Sequence, residues 1–219
     1  MIGNKNEQLN QLFDSWETEV GEYTSKFVRD GIIYEDLFEK ASPKILFMMK
    51  EPNNPDQKSG DFRKWWKDEL KGSFDIRLAE WSYGLLNNFP PYDSIWMSGH
   101  QAALNSIHKI AFMNIKKSGG KSVSNEAEMN QHARQNKNYI HHQISIIDPE
   151  IIVLGWTWES LRTTIFPNLS WKDSGHGARI ARFNTIKIID FIHPSSRTSA
   201  PATYYFLKTI VSCDSFKNL

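Results

Sequence analysis

A glutamate and a histidine each follow a short apolar run of the kind that forms a buried strand. Residues 45–49 are all apolar, and Glu51-Pro52 comes just after them. Residues 186–192 are also mostly apolar and lead directly into His193. Short apolar runs rich in β-forming residues predict strands that are buried on both faces. Because open α/β sheets bind ligands beyond the carboxyl ends of their strands, we expect Glu51 and His193 to share one site.

The two side chains could stabilise opposite charges on a ligand. Pro52 stiffens the chain after Glu51 and directs the groups beside it, although an arbitrary loop glutamate is most often a solvated acid. A neutral imidazole at position 193 can donate one hydrogen bond to an oxygen on which negative charge develops. The alternative for His193 is a structural role, which a single histidine has more often.

An amide and an aromatic side chain could complete a binding site. Asn114 ends the second predicted strand, and its amide can pair with a cyclic imide or amide at two points; a turn asparagine explains it equally well. Phe62 follows the Glu51 loop and could stack on a planar ligand. For Trp65 and Trp66, which come next, we favour packing within a helix.

Basic side chains follow several predicted strand ends, where they could neutralise the phosphates of a polyanion. They are Lys116, Lys117, Lys121 and Arg197. Exposed lysines are common in loops, so each has little weight alone. The net charge of +1 over 219 residues neither indicates nor excludes a nucleic-acid partner.

Hydrophobic periodicity predicts helices and strands in alternation along the chain. We expect helices over 5–29, 62–71, 75–87, 94–105, 125–147, 157–166 and 201–213, strands over 44–49, 107–115, 151–154 and 186–192, and a hairpin partner over 178–183. This order predicts an α/β fold, a three-layer αβα sandwich with a mainly parallel four-stranded sheet. We expect a single domain over residues 1–219, with an N-terminal helical extension to about residue 40.

Composition and missing motifs exclude several classes. Cys213 is the single cysteine, so no internal disulfide can form, and a cysteine-based metal site is disfavoured. We expect no metal and no cofactor. No apolar run approaches the roughly 20 residues of a membrane span, and we see no secretory signal, which predicts a cytoplasmic protein without a membrane partner. No H-E-x-x-H, Walker A, G-x-G-x-x-G or G-x-S-x-G pattern occurs, which argues against zincins, P-loop NTPases, dinucleotide enzymes and lipase-type hydrolases.

Taken in order, these segments resemble the uracil-DNA glycosylase superfamily, over roughly residues 40 to 213. That family has a G-x-x-P-x motif after its first strand and an H-P-S-P motif after its fourth. The matching segments are Met49-Lys50-Glu51-Pro52-Asn53 and His193-Pro194-Ser195-Ser196-Arg197, supported by 60–62, 112–117 and 149–155. The His-Pro-Ser element is moderately specific, and the others gain weight from their joint order.

The resemblance implies a parallel sheet in the order 2-1-3-4 and an enzyme that flips a damaged base out of DNA and hydrolyses its glycosidic bond. It implies a DNA partner, single- or double-stranded, and we expect the protein to be a monomer. By position, Glu51 would orient water or stabilise the sugar cation, and His193 would hydrogen-bond the uracil oxygen. The remaining positions follow the family in the same way: Phe62 stacks on the base, Asn114 reads its edge, Met49, Pro52 and Asn53 shape the base pocket, Ser195 and Ser196 hold phosphates, and Arg197 probes the duplex.

Two positions depart from the family pattern. Met49 stands where the family has glycine, which lets the backbone approach the ligand closely, and Ser196 stands where it has a second proline. Two alternatives therefore stay open. One is a non-catalytic protein that binds a nucleobase, nucleotide or nucleic acid on the same fold. The other is a different small-molecule α/β enzyme with an accidental His-Pro-Ser match.

Overall fold

The computed structural model describes residues 4–54, 56–97, 101–120 and 123–219. Its helices are α1 (Lys5–Glu19), α2 (Glu35–Glu39), α3 (Phe62–Trp65), α4 (Ser73–Leu86), α5 (Ser94–Met97), α6 (Gln101–Ile107), α7 (Glu126–Gln135), α8 (Lys137–Ile147), α9 (Glu159–Ile165), α10 (Ala200–Ser212) and α11 (Asp214–Lys217). Its strands are β1 (Val28–Arg29), β2 (Gly31–Ile32), β3 (Ile45–Met49), β4 (Gly60–Asp61), β5 (Ala111–Asn114), β6 (Ile151–Leu154), β7 (Lys172–Asp173), β8 (Arg179–Phe183) and β9 (Ile186–Asp190).

In the described part of the chain, the main sheet has seven strands in the order β2-β5-β3-β6-β9-β8-β7. The strands β5, β3, β6 and β9 run parallel and occupy its centre. At the two edges, β2, β8 and β7 pair antiparallel. The predicted α/β class is therefore confirmed, whereas the predicted four-stranded, mainly parallel sheet is wrong, because the sheet is mixed and larger. The central parallel strands do follow the expected order.

The sheet is covered by helices on both faces because alternate residues of each strand point in opposite directions. In β3, Leu46 and Met48 join a core with α1, α7, α8 and α9. Ile45, Phe47 and Met49 join a second core with α4, α6 and α10. All five side chains are buried, which is why the strand reads as an unbroken apolar run rather than an alternating one.

Several predicted helix boundaries differ from the structure. The helix expected over 5–29 ends at Glu19. The helix expected over 125–147 is two helices that meet at Asn136. The side chain of Asn136 accepts from the indole N–H of Trp16 at 2.8 Å and donates to the carbonyl of His132 at 3.0 Å. The helix expected over 94–105 crosses residues 98–100, which lie outside the described residues.

The first forty residues contribute strands as well as helices, and they belong to the core. The buried face of α1, including Phe13 and Trp16, packs in the same cluster as Leu46. The short strand β2 pairs antiparallel with β5 and extends the main sheet. A two-residue strand is too short to show a periodicity, so hydrophobic patterns do not predict it.

A buried ion pair fixes the end of β5. The ammonium of Lys117 donates to both carboxylate oxygens of Asp30, at 2.7 and 2.8 Å, and both side chains are fully buried. Asp30 also accepts from the Gln143 amide at 2.7 Å and from the backbone N–H of Asn114 at 2.8 Å. Burial lowers the pKa of Lys117, and the Asp30 carboxylate opposes that shift. The network holds Asn114 at the edge where a site was expected.

None of the helices within the described residues is long and apolar enough to cross a bilayer.

Removing the cation of this network should cost much of the stability of the fold. We expect Lys117→Met to lower the free energy of unfolding by about 3–5 kcal/mol, because the Asp30 carboxylate is then buried without a counter-charge. Urea unfolding measures this change. Lys26→Met, at an exposed lysine, should stay within about 0.5 kcal/mol of the parent.

The double variant Asp30→Asn/Lys117→Met tests the cause. It removes both charges and keeps an oxygen acceptor for the Asn114 N–H, so it should lose less stability than Lys117→Met alone. Equal losses in the two variants would show that lost packing, rather than an unpaired charge, is responsible.

Candidate active site

A pocket of about 840 Å³ lies at the carboxyl ends of β3, β5 and β9. This volume falls within the range of about 300–1,000 Å³ that small-molecule sites occupy. The sequence-predicted residues that line it are Met49, Glu51, Pro52, Asn53, Phe62, Asn114, His193, Ser195 and Ser196. Glu51 and His193 thus face one pocket, because β3 and β9 run parallel on either side of β6.

Glu51 forms an ion pair, and the backbone of a glycine packs against its carboxylate. Its carboxylate lies 3.2 Å from the ammonium of Lys116, which also contacts Glu128 at 2.6 Å. The side chains of Glu51 and Lys116 are only 6 % and 10 % exposed. A Cβ at Gly120 would collide with this carboxylate. The loop therefore needs glycine there to bring its backbone against Glu51.

The cation beside Glu51 stays charged. Burial lowers the pKa of Lys116, but the hydrogen bond to Glu128 and the charge of Glu51 outweigh burial and leave the pKa raised. Position 116 therefore carries a positive charge that fixes Glu51.

His193 is neutral, and one of its nitrogens is assigned by a hydrogen bond. Burial, with a smaller contribution from the charge of Lys50, lowers its pKa to about 4. The backbone N–H of Ser195 donates to Nδ1 at 3.1 Å. Nδ1 is therefore the acceptor, and the proton of the neutral ring is on Nε2. The imidazole can offer one N–H donor to a ligand.

Two further polar groups of the pocket are buried without a hydrogen-bond partner among the described residues. They are the Nδ2 of Asn114 and the hydroxyl of Ser196. Asn114 is 1 % exposed, and its backbone is anchored by Asp30. Because unpaired buried donors are costly, such groups in a pocket are suited to pairing with a polar ligand.

Aromatic rings form one wall of the pocket. The ring centroid of Phe62 lies 4.8 Å from those of Trp65 and Phe112 and 5.2 Å from that of Trp66. Phe74 continues the wall, and its ring centroid lies 5.6 Å from that of His193. Trp65 is 46 % exposed. Packing within a helix, the role expected for Trp65 and Trp66, describes only part of what they do, because both residues also line the pocket.

Met49 is accommodated by a glycine on the neighbouring strand end. Met49 is 1 % exposed, and a Cβ at Gly155 would collide with its sulfur. Gly155 directly follows β6, which pairs with β3. The absence of a side chain at position 155 therefore provides the space that the Met49 side chain occupies. Met49 still lines the pocket.

The basic residues predicted to bind phosphates separate into different environments. Lys117 is fully buried on Asp30, and Lys116 is paired with Glu51 and Glu128, so both ammonium groups already have acidic partners within the protein. Buried pairing of a lysine leaves no trace in the local sequence. Arg197 is exposed beside the pocket-lining Ser196, and Lys121 lies outside the described residues.

Several pocket residues were not singled out from the sequence. They are Lys50, Lys71, Phe74, Asp75, Phe112, Val123, Ser124 and Trp158. The rule that located Glu51 could also have found Lys50 and Trp158, which follow the parallel strands β3 and β6 within a few residues. Phe112 lies on β5 itself. The others come from helices and loops whose approach to the sheet edge depends on tertiary packing.

A second cavity of about 720 Å³ lies at the opposite edge of the sheet. Its Lys44 ammonium is paired with Glu39, and its Lys187 ammonium donates to the carbonyls of Phe216 and Lys217. These cations serve the fold, and we place the chemistry in the first pocket. No group of three or more His, Cys, Asp or Glu among the described residues could hold a metal ion.

No model of a known protein family matches the chain, and no curated protein is significantly similar to it.

The fit of Met49 on Gly155 can be tested by exchanging bulk. Gly155→Ala should lower the free energy of unfolding by about 1–3 kcal/mol, because the new Cβ overlaps the methionine sulfur. Met49→Ala/Gly155→Ala should recover part of that loss, and urea unfolding measures both. Gly21→Ala, with open space around the new Cβ, is the control. A double variant that is less stable than Gly155→Ala would contradict the described packing.

The state of His193 can be read by NMR. We expect its imidazole to titrate with a pKa of about 4 and to carry its proton on Nε2 at neutral pH. Because the unfolded chain binds this proton near pH 6.5, stability should fall as the pH drops from about 6.5 to 4, by at most about 3 kcal/mol. His193→Gln should lack this component. Titration of His193 near pH 6.5 in the folded protein would refute the assignment.

Proposed function

We propose that this chain is a uracil-DNA-glycosylase-like enzyme that flips uracil or a related deaminated base out of DNA and hydrolyses its glycosidic bond. The observation that carries the proposal is that Glu51 and His193 line one pocket, beside an aromatic wall. The ordered motifs described above support it as a resemblance.

The two reacting fragments need opposite charges in the site. Breaking the glycosidic bond leaves negative charge on the base and positive charge on the sugar. The Nε2–H of His193 donates to the base oxygen as charge builds there. The Glu51 carboxylate stabilises the sugar cation and orients the water that adds to C1′. Lys116, paired with Glu51, positions that carboxylate.

The rest of the pocket recognises the flipped base and its backbone. Phe62 stacks on the base. The unpaired amide of Asn114 donates to a base carbonyl, and its oxygen accepts from a ring N–H. Ser195 and Ser196 hold the flanking phosphates, and Arg197 contacts the duplex. We further propose that the enzyme acts as a monomer in the cytoplasm.

One observation favours a second candidate, a protein that binds a nucleobase or nucleotide without cleaving it. The Glu51 carboxylate already has a cationic partner 3.2 Å away. That pairing lowers the negative potential available to a sugar cation. The same pocket would then bind the planar ring and leave the glycosidic bond intact.

Uracil release from a labelled oligonucleotide tests the enzyme directly. After incubation, alkali converts each abasic site into a strand break. We expect breaks with the parent protein and a fall of about 10²–10³-fold in the single-turnover rate for His193→Gln, because one donor to the developing charge is lost. Glu51→Gln should fall at least as far.

Two exposed positions that do not line the pocket provide matched controls, His142→Gln and Glu159→Gln. Both should keep the parent rate. Absence of breaks with uracil, hypoxanthine and xanthine substrates would overturn the repair function. If a base or nucleotide then still raised the melting temperature of the parent, the binding function would replace it.

A further inference from the structure

The pocket holds an amine that the proposed excision reaction does not use. Lys50 lies between Met49 and Glu51 at the end of β3 and lines the pocket. Its ammonium lies 4.3 Å from the ring centroid of Trp158. Among the described residues it makes neither a hydrogen bond nor an ion pair, so the face of the indole is its main support.

The other pocket-edge lysines described are all engaged. Lys116 contacts Glu51 and Glu128, and Lys71 contacts Glu69 at 2.8 Å. These ion pairs raise the pKa of both amines, so less of each is in the neutral form that attacks carbon. Lys50 differs because its contact with an aromatic face can be exchanged for a ligand without breaking a salt bridge.

Burial makes the Lys50 ammonium easier to deprotonate than that of an exposed lysine. Burial lowers the pKa of the Lys50 amine, and the charge of Glu51 only partly opposes that shift. A lysine that is desolvated in an apolar setting is the usual nucleophile toward carbonyl carbon. Its position next to Glu51 places it where the sugar of a flipped nucleotide would lie in the proposed function.

We propose that Lys50 is a nucleophile that forms an imine with the aldehyde of an abasic deoxyribose, and that the enzyme thereby nicks DNA at abasic sites. The inference rests on the proposed function, because the product of base excision supplies this aldehyde. It adds a lyase reaction to the hydrolysis.

The reaction balances without an oxidant or a reductant. The Lys50 nitrogen adds to C1′ of the open-chain sugar, and water leaves to give the iminium ion. Glu51 accepts the C2′ proton, the C–H electron pair forms the C2′–C3′ double bond, and the C3′–O bond breaks with the phosphate as the leaving group. Water then hydrolyses the imine, returns the free amine and releases an unsaturated aldehyde on the 5′ fragment.

Borohydride trapping tests the inference separately from base excision. The full chain is mixed with labelled single- and double-stranded oligonucleotides that carry a preformed abasic site, and sodium borohydride reduces any imine to a stable covalent adduct. We expect an adduct that mass spectrometry maps to Lys50. We also expect a nick at the abasic site when borohydride and alkali are omitted.

Lys50→Arg keeps the positive charge but cannot form the imine, so both the adduct and the nick should be lost. Lys64→Arg, at an exposed lysine on α3 that does not line the pocket, should keep both. The melting temperature of each variant shows whether it is folded, and the adduct mapped on the parent protein needs no variant.

No adduct with either strand form, an adduct on another amine, or an adduct that persists in Lys50→Arg would overturn the inference. Uracil excision without trapping would overturn the lyase alone. Trapping without uracil excision would overturn the proposed glycosylase and leave the lyase standing.

Discussion

The buried pair of Asp30 and Lys117 is the constraint on which the site depends. It joins the segment after β1 to the loop that follows β5, and the same carboxylate binds the backbone of Asn114. Taking two charges out of water is costly, and hydrophobic residues of equal volume often serve stability as well. What this pair supplies here is geometry, since it sets where β5 ends and how the loop up to Gly120 returns toward Glu51.

Two glycines give the pocket its depth. Gly120 allows its loop to lie directly against the Glu51 carboxylate, and Gly155 receives the side chain of Met49. The carboxylate of Glu51, the imidazole of His193 and the amide of Asn114 line one pocket at the carboxyl edge of the sheet. The Lys116 ammonium lies beside Glu51, and burial keeps the His193 imidazole neutral. A carboxylate and a neutral N–H donor therefore line the same pocket.

Much of this arrangement could be predicted from the sequence. The buried strands 45–49 and 151–154 are strong local signals, because an unbroken apolar run bounded by turn residues has few other structures open to it. The rule that ligands bind at strand ends placed Glu51 and His193 correctly beside one pocket. The strand β2 and the break at Asn136 were missed, since each depends on partners distant in sequence. The burial of Lys117 was missed for the same reason, because lysine is otherwise a surface residue.

The exchange of volume between positions 49 and 155 bears on how such chains are recognised. Position 49 of this chain is methionine rather than glycine, and Gly155, directly after β6, leaves room for its side chain. The two sites should vary together across relatives, with a bulky residue at one matched by glycine at the other. A search profile that scores positions 49 and 155 jointly would reflect the volume that the two side chains share. A profile that scores each position alone would reflect only the residue type at that position.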